Sequence, residues 1–498
     1  MKNIDYEKYK GMDTVILDKH AADTIKEDCR SFQCQLENHC AHVIMLMEQG
    51  IITKEEAKKI LGALLRLPDI GPENIPFKPG LTDLYSNIEE WLIERLGIEI
   101  GGKVHTGRSR NDMNSSIERV FTRRTMLDVL EAMILLMKTL LNMAEEHKET
   151  VIPGYTHHSQ QAQPVTLGHF YTSTFQAFSR DAERLLEAYK RVNLSTMGGA
   201  AIATTGFPIS RERTAELLGF DGYLLNSMDA TATLDFAYEP ASIMAIFINN
   251  VGRMVESMLL WNLNEVGISR LALKYCSYST IMPQKRNPVS LETLRYSGEW
   301  TYGALSTMFN TMKAYPQGNG REPGFVVSLY YEIAEKIKES AYLLEGIVRT
   351  LEVDKKRGLE VTKCGFCTVT DLADEMVKSL GLSFSAAKKI VGKLVTIAHD
   401  EHISIDEADS RLVARAAKEA LGIELEMDDT LIRHALDPWE NVSRRNLPGG
   451  PSPERVQEMV DAGWQKIEEI SAGWQKRVDN DKAASQRLMD LAKSIAEV

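Results

Sequence analysis

Apolar positions recur at three- and four-residue spacing over most of this chain, and runs of clean apolar/polar alternation are almost absent. That periodicity predicts helices rather than a sheet. Residues 38–67 read as two helices around Gly50-Ile51-Ile52, the second opened by the capping-box pattern Thr53-Lys54-Glu55-Glu56. A Pro/Gly-rich connection over 69–80 leads to a helix over 83–96, ended by Gly97. Amphipathic segments of unusual length follow at 112–147, 164–194, 237–268 and 286–312. In the third, Phe247, Val251, Met254, Val255, Met258 and Leu259 share one face, a core stripe. Beyond about residue 360 the pattern changes to shorter helices of mixed charge, with a Pro/Gly-rich loop at 447–453. Segments this long predict a long bundle, or helices that pack across subunits.

The fold class expected is all-α, in three parts: an N-terminal helical domain over 1–110, a central long-helix bundle over 111–360 and a C-terminal helical domain over 361–498. The 498 residues fit about three units at roughly 150 each. A hydrophobic fraction of 44% supports a large core and argues against disorder. With 58 Lys and Arg against 70 Asp and Glu, the net charge of −12 argues against a nucleic-acid or anionic-membrane binder. The start, MKNIDYEKYKGMD, lacks an apolar stretch of the secretory type. The strongest apolar run, Met133 to Met137, is flanked by Asp128, Glu131 and Lys138, short of the roughly 20 residues a membrane span needs. A cytoplasmic protein is expected. Six cysteines make no disulfide framework, and Cys364-Gly365-Phe366-Cys367 lacks the second ligand pair of a zinc site, so it is read as packing.

Three polar segments that interrupt the long helices carry the candidate chemistry. The first, 101–114, contains Arg108, Ser109, Arg110 and Asn111 just before a long helix. A fork of donors beside free backbone N–H groups suits a carboxylate. The second, 152–164, holds adjacent His157 and His158, candidates for acid–base work near neutral pH. Metal binding is disfavoured because no HExxH and no third ligand stand nearby. The third, 276–290, sets Ser279, Thr280, Lys285 and Asn287 before a helix, with Glu292 one turn on; its helix start adds positive character for a doubly negative species. Without GxSxG or a His–Asp partner sequence, the serine does not read as a hydrolase nucleophile. A fourth interruption, 198–211, is smaller and more apolar.

Together these segments resemble the three signature regions of the fumarase/aspartase superfamily, most closely its argininosuccinate lyase branch. HTGRSRND at 105–112 is that branch's first region almost verbatim, and STIMPQKRNP at 279–288 is similar to SSxMPxKxNP. Asn226 to Ala230, Gly365-Phe366 with Thr368 to Glu375, and Pro448-Gly449-Gly450 also match branch-typical segments. The resemblance covers nearly the whole chain. It implies three mostly helical domains, a homotetramer whose core is built from the central helices, and active sites drawn from three chains. It also implies reversible elimination across the Cα–Cβ bond of a succinyl moiety, without metal or organic cofactor. Ser279 would be the base, with Lys285 and Asn287 stabilising the aci-carboxylate dianion. His157 would be oriented by Glu292 for proton transfer or positioning. Ser109, Arg110, Asn111, Thr156, Thr280, Met282 and Arg321 would contact the substrate.

Several positions depart from the branch pattern. Tyr278 stands where a Gly usually precedes the two hydroxyls, and the second region carries one extra residue. Counting from the left the family histidine is His157; counting back from Pro164 it is His158; the retained Thr156 favours His157. The branch's Tyr-Asn-Lys-Asp-Leu-Gln becomes Asn319 to Gly324, keeping only a cation as Arg321. Its Asp-Arg-Asp becomes Thr233-Leu234-Asp235, and its Glu-Asp-Ile-His becomes Thr82-Asp83-Leu84-Tyr85. A site that discriminates by polar contacts changes substrate when these change. The leading expectation is therefore a carbon–nitrogen lyase for N-substituted aspartates, similar to ethylenediamine-disuccinate (aminopolycarboxylate) lyase. Argininosuccinate lyase activity is the alternative, and a non-catalytic crystallin-like protein a third. The expected partners are a dicarboxylate or aminopolycarboxylate and further copies of the chain.

Overall fold

The computed structural model describes residues 24–497 apart from 27, 76–80, 82, 158, 319 and 321. Helices dominate. In chain order they are α1 (Phe32–Glu48), α2 (Lys54–Leu64), α3 (Leu84–Leu96), α4 (Arg110–Glu146), α5 (Leu167–Val192), α6 (Asp235–Trp261), α7 (Val289–Met312) and α8 (Glu322–Arg349). Then come α9 (Lys355–Cys364), α10 (Val369–Leu380), α11 (Phe384–Asp400), α12 (Ser410–Leu421), α13 (Asp429–Leu436), α14 (Pro438–Arg444) and α15 (Pro453–Ala496), with shorter turns between. Antiparallel two-stranded ribbons pair β1 (Val151–Thr156) with β2 (Gln160–Thr166), β3 (Ser269–Arg270) with β6 (Glu352–Val353), and β4 (Ser277–Tyr278) with β5 (Arg286–Asn287).

Local signals account for the boundaries. The capping box at Thr53 forms, with Glu56 N–H donating to the threonine hydroxyl and the Glu56 carboxylate accepting from Thr53 N–H. Gly97 ends α3 at φ 78°, a conformation open to glycine. Ser109 caps α4 in a second reciprocal box with Asp112. The segment 286–312 becomes helical only after Pro288, since a proline disfavours helix in the residue before it.

The core divides into three clusters. In the largest, Leu130, Met133, Met137 and Leu140 of α4 meet Phe178 of α5, Phe247 and Met254 of α6, and Tyr330 and Ile337 of α8. Each such side chain contributes about 1.5–3 kcal/mol by leaving water. The second joins α1, α2 and α3 to Met113, Ile117 and Val120 at the start of α4. The third is confined to residues 372–436. By length and composition α6 could cross a bilayer, yet half of its apolar window is buried within the protein, in the first cluster.

Two long helices escape the sequence reading. One is α8, with 28 residues. The other is α15, the longest of the described helices at 44 residues, which corrects the expectation of only shorter helices beyond 360. Val456, Val460, Ile467 and Ile470 of α15 join the first cluster, and Leu488, Ala492 and Ile495 the second. The chain's end therefore lies along the bundle and reaches the N-terminal lobe.

Candidate active site

The first segment is built on the start of α4. Ser109 Oγ accepts Asn111 N–H at 3.3 Å, and Ser109 N–H donates to Asp112 at 2.9 Å. Arg110 is exposed and its Nη1 donates to Asp83 at 2.7 Å; Asp83 caps α3 by accepting Ser86 N–H at 2.7 Å. Asn111 Nδ2 donates to the carbonyl of Ala201 at 2.9 Å. Asp112, fully buried, accepts Gly198 and Ala200 N–H, each at 2.9 Å. Burial pushes its carboxyl up, against the pull of its backbone N–H donors.

Beneath this segment lies a buried polar group. Tyr85 Oη and His105 Nδ1 are 2.6 Å apart, and the Arg108 guanidinium lies over the Tyr85 ring, 5.1 Å from its centroid. Burial, then the charges of Arg108 and Arg110, push His105 down to about 4. Sequence reasoning missed Asp83 and Tyr85 as partners of the segment, and the structural role of Asp112 within it. Only the Ser109-x-x-Asp112 cap pattern could have pointed to one of them.

The second segment is the β1–β2 hairpin rather than a loop. Thr156 and His157 are exposed at its tip, with left-handed backbone at His157 (φ 44°) and Ser159 (φ 73°). The hairpin is anchored from the far end of the chain: Gln161 Nε2 donates to Val361 O at 3.1 Å, and Arg445 Nη1 donates to Pro164 O at 3.4 Å. Residues just N-terminal to the branch-like segments at 365 and 448 thus support the histidine-bearing ribbon. His158 and Arg321 lie outside the described residues.

The third segment is a loop closed by the β4–β5 pair. Ser279 Oγ accepts Met282 N–H at 3.1 Å and Ile281 N–H at 3.4 Å. Lys285 N–H donates to Met282 O at 3.0 Å, and Asn287 Nδ2 donates to Ser277 Oγ at 3.4 Å. Tyr278, Thr280, Met282 and Lys285 point to the surface, as does Glu292 in the first turn of α7. The structure thus gathers Ser279, Thr280, Met282, Lys285 and Asn287 in one loop. Among the described residues, no hydrogen bond of Ser109, Asn111, Ser279 or Asn287 joins one of these three segments to another; Asn111 reaches only the 198–211 interruption. A cavity of about 750 Å3, lined by Thr125, Asp128, Trp300 and Lys336 among others, contains none of the predicted site residues. Among the described residues no three His, Cys, Asp or Glu converge as metal ligands.

Two family descriptions match the chain: "Lyase" over residues 23–299 and "Argininosuccinate lyase C-terminal" over 366–442. Argininosuccinate lyase of Methanocaldococcus jannaschii is 38% identical over 441 residues, 89% of this chain and 90% of that one. Argininosuccinate lyase of Methanosarcina acetivorans is 37% identical over 480 residues, 96% of each chain. The crystal structure of EDDS lyase in complex with formate superposes with a TM-score of 0.87 at 31% identity, covering 98% of this chain and 96% of that one. The chain belongs to the fumarase/aspartase superfamily, in its argininosuccinate-lyase-like branch, and is a fumarate-forming carbon–nitrogen lyase.

Proposed function

We propose that the chain releases fumarate from argininosuccinate, with Ser279 as the base that removes the Cβ proton. The observation that carries the catalytic part is the pair of backbone N–H groups aimed at Ser279 Oγ, from Met282 and Ile281. A free serine is a poor base, and donors on its oxygen favour the alkoxide. Proton removal leaves electron density on the neighbouring carboxylate, which Lys285 and Asn287 of the same loop would stabilise. That density then forms the Cα–Cβ double bond as the C–N bond breaks, and the guanidino nitrogen of arginine leaves with a proton. His157 is the donor we assign, positioned by Glu292. Ser109, Arg110, Asn111, Thr156, Thr280, Met282 and Arg321 would hold the substrate.

Sequence reading put ethylenediamine disuccinate first as the substrate. The levels of identity favour argininosuccinate instead: 37–38% to the two argininosuccinate lyases against 31% to EDDS lyase. The changed residues at 82–85, 233–235 and 319–324 favour the aminopolycarboxylate as the second reading. Incubating the protein with each compound and following fumarate absorbance decides between them. Faster turnover of ethylenediamine disuccinate would reverse the order.

Exposed His157, Lys285 and Glu292, and Tyr296, Tyr302 and Phe309 on α7 at 57%, 43% and 49% exposure, support a homotetramer with sites completed across subunits. We place the enzyme in the cytoplasm, working without metal or organic cofactor. Size-exclusion chromatography with light scattering tests the assembly, and a chelator-treated sample tests the cofactor assignment.

A further inference from the structure

The 198–211 interruption, left without a role by sequence, is tied to the substrate segment at several points. Asp112 accepts the N–H groups of both Gly198 and Ala200, and Thr196 Oγ1 donates to Asp112 O, each at 2.9 Å. Asn111 Nδ2 holds the Ala201 carbonyl, and Ser227 Oγ holds that of Ile202 at 2.8 Å. Arg211 braces the underside, donating to Met197 O at 3.2 Å and Leu224 O at 2.6 Å. Within the stretch, Ala200 (φ 52°) and Thr204 (φ 62°) adopt left-handed backbone that a residue with a Cβ disfavours, strongly so for β-branched Thr. Strain of this kind persists only where the surroundings over-determine it, and it clusters at ligand clamps.

The exposed face is largely apolar, with polar Thr204 and Asn226 at its margins. Ala201, Ile202 and Ala203 are exposed, beside exposed Leu225 and Met228. The carbonyls of Ala201 and Ile202 are already taken by side-chain donors. What the side chains of Ala201, Ile202 and Ala203 offer a ligand is therefore methyl and methylene surface. It sits directly against Asn111, next to Arg110, whose side chains suit carboxylate and amine.

We propose that residues 198–204 form the wall that receives the hydrocarbon part of the substrate's N-substituent, with Asp112 as the positioning residue and Ile202 as the specificity residue. The proposal deepens the functional reading above and rests on it. Asp112 acts through the loop: its carboxylate fixes Gly198 and Ala200, and these set the distance from Ile202 to Asn111. The wall is indifferent to the succinyl half, which the charged and polar donors take.

Two measurements test it. Hydrogen–deuterium exchange on Asp112→Asn, which replaces two acceptor sites by a donor, should show faster exchange at 198–204 with amides of 126–141 in α4 unchanged. Faster exchange throughout α4, or none at 198–204, overturns the clamp. Kinetics of Ile202→Ala, an exposed position that leaves folding intact, use argininosuccinate and N-methyl to N-butyl aspartates, with fumarate as competitive inhibitor. Discrimination per added methylene should drop by about tenfold while the fumarate inhibition constant stays within about twofold. An equal change in both, or unchanged discrimination, overturns the wall. If the wild-type chain releases fumarate from none of these compounds, the functional reading falls, whereas the exchange comparison still decides the clamp.

Discussion

Asp481, close to the end of the chain, bonds Arg123 in the first long helix through both Nε and Nη2, at 2.9 and 2.6 Å. Its second oxygen takes Arg124 Nε at 2.8 Å, and Arg124 in turn donates to Glu37 of α1 at 2.8 Å. One carboxylate thus ties the last helix to the bundle and the N-terminal lobe, with Arg123 only 1% exposed. Removing one partner of a buried pair leaves the other charge uncompensated, at about 3–5 kcal/mol. Asp481→Ala is expected to lose stability on that scale in urea unfolding, with helicity retained before the transition. A loss below 1 kcal/mol would mean the guanidiniums find other acceptors.

His105 gives the fold a pH dependence with a definite sign. Its ordinary value is 6.5 and the folded protein holds it near 4, by burial and by Arg108 and Arg110. Between those values the unfolded chain binds a proton that the folded one does not, so stability rises with pH across the window. On acidification from about 6.5 to 4 this contribution is lost. The melting temperature should fall over that range, and His105→Gln, which still reaches Tyr85 Oη, should fall less steeply. Parallel curves for the two proteins would remove His105 as the cause.

How much of this could be read from the sequence depends on what each element advertises. The long amphipathic helices α4 and α6 declared themselves through dense apolar stripes, and the caps at Thr53 and Gly97 through fixed residue types. Helix α8 opens with Glu322-Pro323-Gly324, which reads as a loop although Pro is tolerated in a first helical turn. Helix α15 mixes charged and apolar residues along its whole length, and its apolar positions acquire meaning only once two separate cores are there to receive them. The β1–β2 ribbon was hidden because Pro153 pairs with Pro164 and β2 carries three glutamines in place of β-branched residues. For the site, the motif residues were legible; the Asp83–Arg110 pair and the bond of Asp112 to Gly198 were not, since they act across 27 and 86 positions of chain.

Asp83 has two duties on two oxygens: Oδ1 accepts Ser86 N–H to cap α3, while Oδ2 receives Arg110 Nη1. Asp83→Ala should lose both, at about 1 kcal/mol for the cap. Asp83→Ser retains a capping hydroxyl and loses the ion pair. If Arg110 binds substrate, the serine variant should raise KM by about tenfold with little change in unfolding free energy, as expected when a positioned guanidinium is released. Equal KM values for wild type and both variants would show that Asp83 serves only the helix.

Ser279 is the sharpest test of mechanism, because its backbone donors do not depend on its side chain. Met282 and Ile281 N–H converge on Oγ, while the loop itself is closed by the β4–β5 pair and by Lys285 N–H on Met282 O. Ser279→Ala therefore removes the oxygen and leaves most of the loop's closure in place. Loss of a positioned general base should lower kcat by about 10²–10⁴-fold. Fumarate, which carries no proton to remove, should still protect the variant against thermal unfolding as it does the wild type, since ligand binding to the folded state raises stability whatever the chemistry. If kcat falls by less than tenfold, the base is another residue, and His157→Asn becomes the decisive variant. If protection is lost together with turnover, Ser279 is a binding group and the alkoxide mechanism fails.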